Sequence, residues 1–235
     1  MIGCVRSRFR LNHPHKRMKP INNLFPLFPI LLLVGCSNPA DKVTEATVGS
    51  QTNTTAEPAK APAAAESKGR AYAFGPENST IEFIGSKVTG RHNGGFRKFT
   101  GELHTANGML ADTGNKVVIE MGSIYADNDR LTGHLKSPDF FNAAQIPTAT
   151  FETVSITRQQ TNSTVTGNLT LHGVTKQISF PAMIQVSEAG VELGAEFFIN
   201  RFDFDIRYPG KSNDLIRKEV VLKLKVKAAP QEKKV

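Results

Sequence analysis

Period-two alternation of apolar and polar side chains dominates the chain from Tyr72 to about Ala228. Alternation of this kind over many residues is typical of β-strands with one buried face and one wet face. The clearest stretches are 164–172, 177–186, 191–199 and 220–227. Weaker patterns separated by turn signals predict further strands at 79–88, 100–106, 116–124 and 148–158. The sequence therefore predicts an all-β domain over residues 71–228.

Residues 127–143 interrupt the alternation. Asp127 is a suitable N-cap for a short helix that runs to about Leu135, and Pro138 suits the first turn of a second helix over 138–143. We predict an antiparallel β-barrel of about eight strands with this short helical insertion, because closing such a sheet removes its edges. A barrel of this size has room for packed side chains or for one small ligand. The pattern alone does not decide between a packed interior and one that holds a ligand.

The first 35 residues have the composition of an export signal. A basic stretch ends at Lys19, and an apolar segment of eleven residues follows at 24–34. That segment is shorter than the roughly 20 residues that span a bilayer, and it suits the apolar core of a signal peptide. Gly35 and Cys36 then resemble the cleavage and lipidation site of bacterial lipoproteins. Cys36 is therefore the predicted lipid-attachment residue.

Location and cysteine use follow from this signal. Ser37 resembles the residue that sorts lipoproteins to the outer membrane, so we expect a protein of the cell envelope, lipid-anchored in the outer membrane and facing the periplasm. Met18 is an alternative start, because Met18 and Lys19 would begin a complete, shorter signal. The other cysteine, Cys4, lies in the segment that processing would discard, which leaves the domain without a thiol.

Residues 36–70 are predicted to be the lipidated cysteine followed by a disordered tether, because they are rich in Ala, Thr, Ser, Pro, Glu and Lys. Residues 229–235 are predicted to be a polar tail. The formal net charge of +8 falls to +2 without residues 1–35, which carry six basic residues and no acidic one. Nucleic acid is therefore not an expected partner.

The domain lacks the common catalytic motifs. Its sequence has no Gly-rich phosphate loop at a strand–helix junction, no nucleophile elbow and no His-Glu-x-x-His motif. Its four histidines, His92, His104, His134 and His172, are scattered singly. We therefore expect no metal, no cofactor and no enzymatic activity.

Phenylalanine is the more informative residue. The chain has no Trp but 15 Phe, most of them in the domain, including rings beside a predicted Gly94-Gly95 loop. They suit either ordinary core filling or an apolar cavity with cations at its mouth, which would take a ligand with a hydrocarbon tail and an anionic or polar head group. The candidate tail-lining residues are Phe83, Phe96, Phe99, Phe140, Phe141, Phe151, Phe197, Phe198 and Phe202. The candidate head-group residues are Lys87, Arg91, Arg130, His134 and Arg201.

Several segments carry a family resemblance. They read NSTIEF at 78–83, GGF at 94–96, FTGE at 99–102, GHLKSPDFF at 133–141, PTATF at 147–151, GNLTLHGVTK at 167–176 and INRFDF at 199–204. Together they resemble the YceI-like family, the lipocalin-like polyisoprenoid-binding proteins of the bacterial cell envelope, over essentially all of 71–228. The resemblance implies a lipocalin-like barrel with a long internal tunnel. It also implies binding of isoprenoid lipids, such as polyprenyl phosphates or isoprenoid quinones, for transport, storage or presentation.

Two departures from the family pattern concern the head group. Lys87 stands where many members have a histidine, and the charged pair that many members have before His134-Leu135 is absent here, with Arg130 displaced by one position. Two alternative functions stay open: a packed barrel that serves as a protein-interaction module of the envelope, and an enzyme that uses His134 or Asp139 as a base on isoprenoid lipids. A homodimer stays open as well.

Overall fold

A computed structural model describes residues 38–49, 69–160 and 162–231. The described residues form a strand-rich domain with one short α-helix. In chain order the elements are β1 (Thr44–Glu45), β2 (Thr47–Gly49), β3 (Ala71–Phe74), β4 (Thr80–Lys87), β5 (Gly90–Phe96), β6 (Phe99–Ala106), β7 (Met109–Leu110), β8 (Lys116–Glu120), β9 (Ile124–Ala126), α1 (Asp129–Lys136), β10 (Thr148–Arg158), β11 (Ser163–Leu171), β12 (Val174–Val186), β13 (Val191–Asn200), β14 (Gly210–Lys211) and β15 (Asp214–Pro230).

Eight strands hydrogen-bond in a closed antiparallel ring, in the order β3, β15, β13, β12, β11, β10, β8 and β6, with β6 pairing back to β3. Three further strands lengthen this wall: β4 lies beside β15, β5 beside β4, and β9 beside β5. The prediction of an all-β antiparallel barrel of about eight strands is confirmed. The alternation of apolar and polar residues is consistent with this wall, because every second side chain of each strand faces the interior.

The two ends of the barrel differ in what covers them. The open end is formed by the β4–β5 hairpin, α1 and residues 201–217. The closed end is formed by the β10–β11 and β12–β13 hairpins. The longest strand, β15, crosses the whole wall, from Asp214 at the open end to Pro230 at the closed end, where it pairs with Tyr72. It therefore continues two residues past the predicted domain end at 228.

The helical insertion is shorter than predicted. Helix α1 starts after Asn128, whose side chain accepts a hydrogen bond from the Leu131 backbone N–H. Asp127 is thus not the N-cap, because its carboxylate instead binds His92 and the Asn93 backbone N–H. Residues 138–143 form turns and not a second helix.

Several strands were missed from the sequence, among them β3 and β5. Strand β3 has only four residues, too few for a periodic signal. Strand β5 has the sequence GRHNGGF, whose glycines conceal any alternation, and residues Gly94-Gly95 lie inside it and not in a loop. They pair with Phe83 and Glu82 of β4. A Cβ on Gly94 would lie 2.3 Å from both the Phe83 ring and the Tyr125 carbonyl oxygen, so the strand needs glycine there.

Residues 38–49, here called the N-terminal arm, are ordered, although they lie in the predicted disordered tether. They form a 3₁₀ turn at Pro39–Lys42 and then β1 and β2, which pair with β13 and β12. Ala40 and Ala46 are buried in it. The arm is ordered because small apolar residues seat it on the barrel, so the prediction of disorder is wrong for 38–49. The rest of the predicted tether, the predicted signal at 1–35 and the lipid-attachment residue Cys36 lie outside the described residues.

Candidate ligand-binding site

The barrel encloses a cavity of about 310 Å³. This volume lies at the lower end of the range for small-molecule sites. The lining is almost wholly apolar and combines phenylalanine rings with aliphatic side chains such as Leu169, Ile199 and Leu224. The interior is therefore not packed solid, which removes the premise of the packed-barrel alternative.

Six of the nine candidate tail-lining residues lie on the cavity wall. They are Phe83, Phe96, Phe140, Phe141, Phe151 and Phe197. Four of them lie on strands of the wall, and Phe140 and Phe141 lie in the turns after α1. The structure adds two rings that were not among the candidates, Phe74 and Phe180.

Glycines in neighbouring strands make room for several of these rings. A Cβ on Gly167 would lie 2.3 Å from the Phe151 ring, and one on Gly101 would lie 2.0 Å from the Phe74 ring. Gly94 has the same relation to Phe83. The rings thus lie against bare backbone and leave the axis of the barrel free. A phenylalanine opposite or diagonal to a glycine is the signal that could have identified Phe74.

Three candidate tail-lining residues do not line the cavity. Phe99 is buried beside Phe74, with ring centroids 6.3 Å apart, but it does not reach the cavity. Phe198 follows the lining residue Phe197 directly, so strand alternation turns it outward, next to the arm. Phe202 lies in the 3₁₀ turn after β13, where its ring packs under the guanidinium group of Arg201 at 4.7 Å.

Among the residues that the structure describes, charged side chains reach the cavity only at its open end. The Lys87 ammonium group is 2.5 Å from an Asp214 carboxylate oxygen. This hydrogen bond is the main reason that the pKa of Asp214 lies below its ordinary value, and the Thr89 hydroxyl and backbone N–H donate to the same carboxylate. Lys87 therefore lies at the mouth of the cavity, but it already has an anionic partner.

Arg201 lines the cavity but is committed to the backbone. Only 3 % of its surface is exposed, and its guanidinium group donates hydrogen bonds to the carbonyl oxygens of Arg217, Ile206 and Ile216. Burial lowers the pKa of Arg201. Arginine stays charged in proteins, so the residue ties the 3₁₀ turn after β13 to β15 while it adds a positive field at the cavity wall.

His92 and Arg217 are lining residues that the sequence argument missed. The His92 ring nitrogen Nδ1 lies 2.8 Å from Asp127. The Asn93 backbone N–H, assisted by His92, holds the pKa of Asp127 below its ordinary value. Arg217 is half-buried. Its guanidinium group has no carboxylate partner among the described residues, which leaves it free to bind a ligand.

Three candidate head-group residues do not reach the cavity. Arg91 is exposed on β5, where strand alternation turns it away from the lining residue His92. Arg130 is exposed in the first turn of α1. His134 lies outside the lining, between the rings of Phe140 and Tyr208 at centroid distances of 5.0 and 4.8 Å, with its Nε2 3.0 Å from Asp139.

Other kinds of site find little support in the described residues. No group of three or more His, Cys, Asp or Glu side chains in 38–49, 69–160 and 162–231 is arranged to hold a metal ion. Within the same residues, no helix has the length and apolar character needed to cross a membrane.

Comparison with known proteins gives the family. The model of the YceI-like domain matches residues 72–228. A UPF0312 protein of Pseudomonas aeruginosa is 39% identical over 69 residues, which are 29% of this chain and 36% of that protein. Protein YceI of Salmonella arizonae is 37% identical over 68 residues, again 29% of this chain and 36% of that protein. The alignment thus spans about a third of the length of these curated relatives.

Two solved structures share the fold at low sequence identity. Burkholderia cenocepacia BcnA superposes with a TM-score of 0.59 at 21% identity, covering 65% of this chain and 97% of that one. A polyisoprenoid-binding domain from Saccharophagus degradans, described as implicated in plant cell wall breakdown, gives a TM-score of 0.55 at 16% identity over 69% of this chain and 99% of that one. With the family model matched across the whole barrel, the chain belongs to the YceI-like family.

Proposed function

We propose that this protein binds an isoprenoid lipid non-covalently, with the hydrocarbon tail in the barrel cavity and the head group at the open end. The observation that carries the proposal is the cavity itself, an apolar space of about 310 Å³ whose charged lining residues all lie at one end. The Saccharophagus degradans domain with the same fold is described as polyisoprenoid-binding. An amphiphile with a long tail matches this division of the lining.

Burial of the tail supplies the driving force. Each methylene group removed from water contributes about 0.8 kcal/mol, so a few isoprene units suffice for measurable affinity even though efficiency per atom falls for larger ligands. Stacked and tilted rings offer a surface for planar isoprene units: Phe180 lies 4.1 Å from Phe197 and 5.6 Å from Phe151 between centroids.

The head group is the second element of the proposal. The side chains of Lys87, Arg201 and His92 already have partners in the structure, whereas the guanidinium group of Arg217 has none among the described residues. Arg217 is therefore our candidate for binding an anionic or polar head group such as a phosphate. The site would act in the cell envelope, on a protein anchored through Cys36, to transport, store or present a lipid that is almost insoluble in water.

Lipid extraction tests the binding proposal. Residues 37–235 are expressed and purified, extracted with organic solvent, and the extract is analysed by mass spectrometry. The expected result is a stoichiometric prenyl lipid in the wild type and in Lys225→Glu, whose side chain is exposed on the outside of β15. Phe151→Asp should lose the lipid, because it places a charge in the apolar wall. A folded wild-type protein without lipid that also fails to take up geranylgeraniol would overturn the proposal.

A further inference from the structure

Strands β12 and β13 separate towards the open end. They hydrogen-bond to each other only between Met183–Val186 and Val191–Gly194, next to the closed end. Further along, β12 pairs at residues 177–179 with β2, and β13 pairs at 197–198 with β1. Residues 44–49 thus lie between two strands of the barrel wall. We call this gap, filled by part of the N-terminal arm, the seam.

The arm is seated firmly enough to be part of the wall. The Ala46 backbone N–H donates to the Phe198 carbonyl oxygen at 2.8 Å, and only 2 % of Ala46 is exposed. The 3₁₀ turn of the arm contacts β15. Val221 of β15 faces away from the lining residues Val220 and Leu222, yet only 2 % of it is exposed. The arm therefore lies over an apolar part of the outer surface.

The cavity lies directly behind the seam. Four residues that border the seam line the cavity: Ile178 and Phe180 on β12, and Phe197 and Ile199 on β13. On the inner side the Phe180 and Phe197 rings are stacked with an interplanar angle of 11°. Two layers therefore close this part of the wall, the arm outside and the ring pair inside.

The arm is held by fewer backbone pairs than any of the eight ring strands. Its strands β1 and β2 have two and three residues and pair with the barrel along one edge each, whereas β3, the shortest ring strand, pairs along both edges. Short pairings on the surface open at low free-energy cost. The seam extends towards the open end, where the charged lining residues lie. A tail that enters sideways can therefore be buried while its head group stays in water.

We propose that the arm is a strap over a lateral entrance, and that the isoprenoid tail passes between the bilayer and the cavity through the seam. This inference rests on the proposed function and adds to it the partner surface, a lipid bilayer. The arm begins two residues after Cys36. A lipid on Cys36 would therefore hold the seam next to the membrane, so the tail crosses little water.

A reversible disulfide across the seam tests the strap. The described residues all belong to one compact unit, and residues 37–235 contain no cysteine. Thr47 and Ser179 are register partners, and the separation of such partners in antiparallel strands suits a disulfide. The Thr47→Cys/Ser179→Cys variant of 37–235 is loaded with tritiated geranylgeraniol, and transfer to vesicles of phosphatidylethanolamine and phosphatidylglycerol is measured with the disulfide oxidised and reduced.

The strap predicts that oxidation slows transfer by about tenfold or more and that dithiothreitol restores the wild-type rate. The matched control is Thr157→Cys/Thr164→Cys, a register pair in the β10–β11 hairpin at the closed end, whose oxidation should leave transfer unchanged. Equal transfer rates for the oxidised and reduced seam variant would overturn the lateral route and leave ligand binding intact. Failure of the wild type to load geranylgeraniol would instead overturn the proposed function, and the strap with it.

Discussion

The two ends of the barrel are built from the same strands but packed differently. At the closed end, buried side chains fill the space between the walls and none of them borders the cavity; they include Tyr72, Leu103, Leu110, Ile156, Val165 and Val191. Towards the open end, rings lie against glycines and the axis stays empty. The difference shows that one sheet can serve two roles: dense packing at one end stabilises the fold, and incomplete packing at the other leaves space for a ligand.

Matched leucine truncations give the largest expected contrast between the two ends. Leu103→Ala at the closed end should lower the free energy of unfolding by about 3 kcal/mol, because it leaves a cavity in a packed region. Leu222→Ala on the cavity wall should lower it by about 1 kcal/mol, because its neighbours on one side are already missing. Urea denaturation of both variants measures this. Equal losses would contradict the division.

Glycine substitutions test whether the rings need bare backbone. Gly94→Ala should destabilise the barrel by about 2 kcal/mol through overpacking, since the new Cβ meets the Phe83 ring and the Tyr125 carbonyl oxygen. Gly85→Ala on the neighbouring strand β4 is the control, because a Cβ there meets nothing within 4 Å. Urea denaturation compares the pair. A Gly94→Ala variant as stable as Gly85→Ala would show that Phe83 can move aside.

Removal of a positive charge at the open end tests its role in ligand binding. Arg217→Gln should weaken binding of geranylgeranyl phosphate by about tenfold and leave binding of geranylgeraniol unchanged, because only the phosphate uses the guanidinium group. Lys218→Gln removes the same charge from an exposed neighbour and should change neither. Fluorescence titration with both ligands measures the effect. An equal loss for the alcohol would assign Arg217 to packing and not to head-group recognition.

Acid should reduce the stability that the Lys87–Asp214 pair contributes at the open end. Because the Lys87 hydrogen bond lowers the pKa of Asp214 below 3.8, the pair stabilises the fold above that value and loses its effect as pH falls through the lower pKa of the folded state. Asp214→Asn should therefore lower the melting temperature slightly at pH 7 and match the wild type at strongly acid pH. Melting curves across pH test this, and a constant difference at all pH values would refute it.

Strands with one apolar and one polar face could be predicted from the sequence, whereas elements that depend on contacts between backbones could not. Phe83, Phe151 and Phe197 could be predicted because each lies in a strand that the period-two pattern predicts, at 79–88, 148–158 and 191–199. Strand β5 could not, since Gly94 and Gly95 remove the alternation. Contacts between strands explain these glycines, because a Cβ would meet the Phe83 ring at Gly94 and the Ile81 carbonyl oxygen at Gly95. The arm was missed because its small residues are typical of a disordered chain. It is ordered in the structure because β12 and β13 separate and leave backbone edges to which it hydrogen-bonds.

The candidate head-group residues show the same limit. Lys87 is recognisable because it ends a strand, but its pairing with Asp214 links residues 127 positions apart in the chain. Arg217 lies beside Lys218 in a polar stretch with no motif, and it lines the cavity in a part of β15 where the pairing with β4 is irregular, between Ile216 and Val220. Arg91 and Arg130 are in the right region of the sequence but on outward faces.

A crystal structure of residues 37–235 with geranylgeranyl phosphate tests the central claim most directly. The account predicts continuous density for the tail along Phe83, Phe151 and Phe197, with the phosphate within hydrogen-bonding distance of Arg217. An interior filled by side chains that meet across the barrel axis, with the lipid absent or bound on the outside, would contradict it.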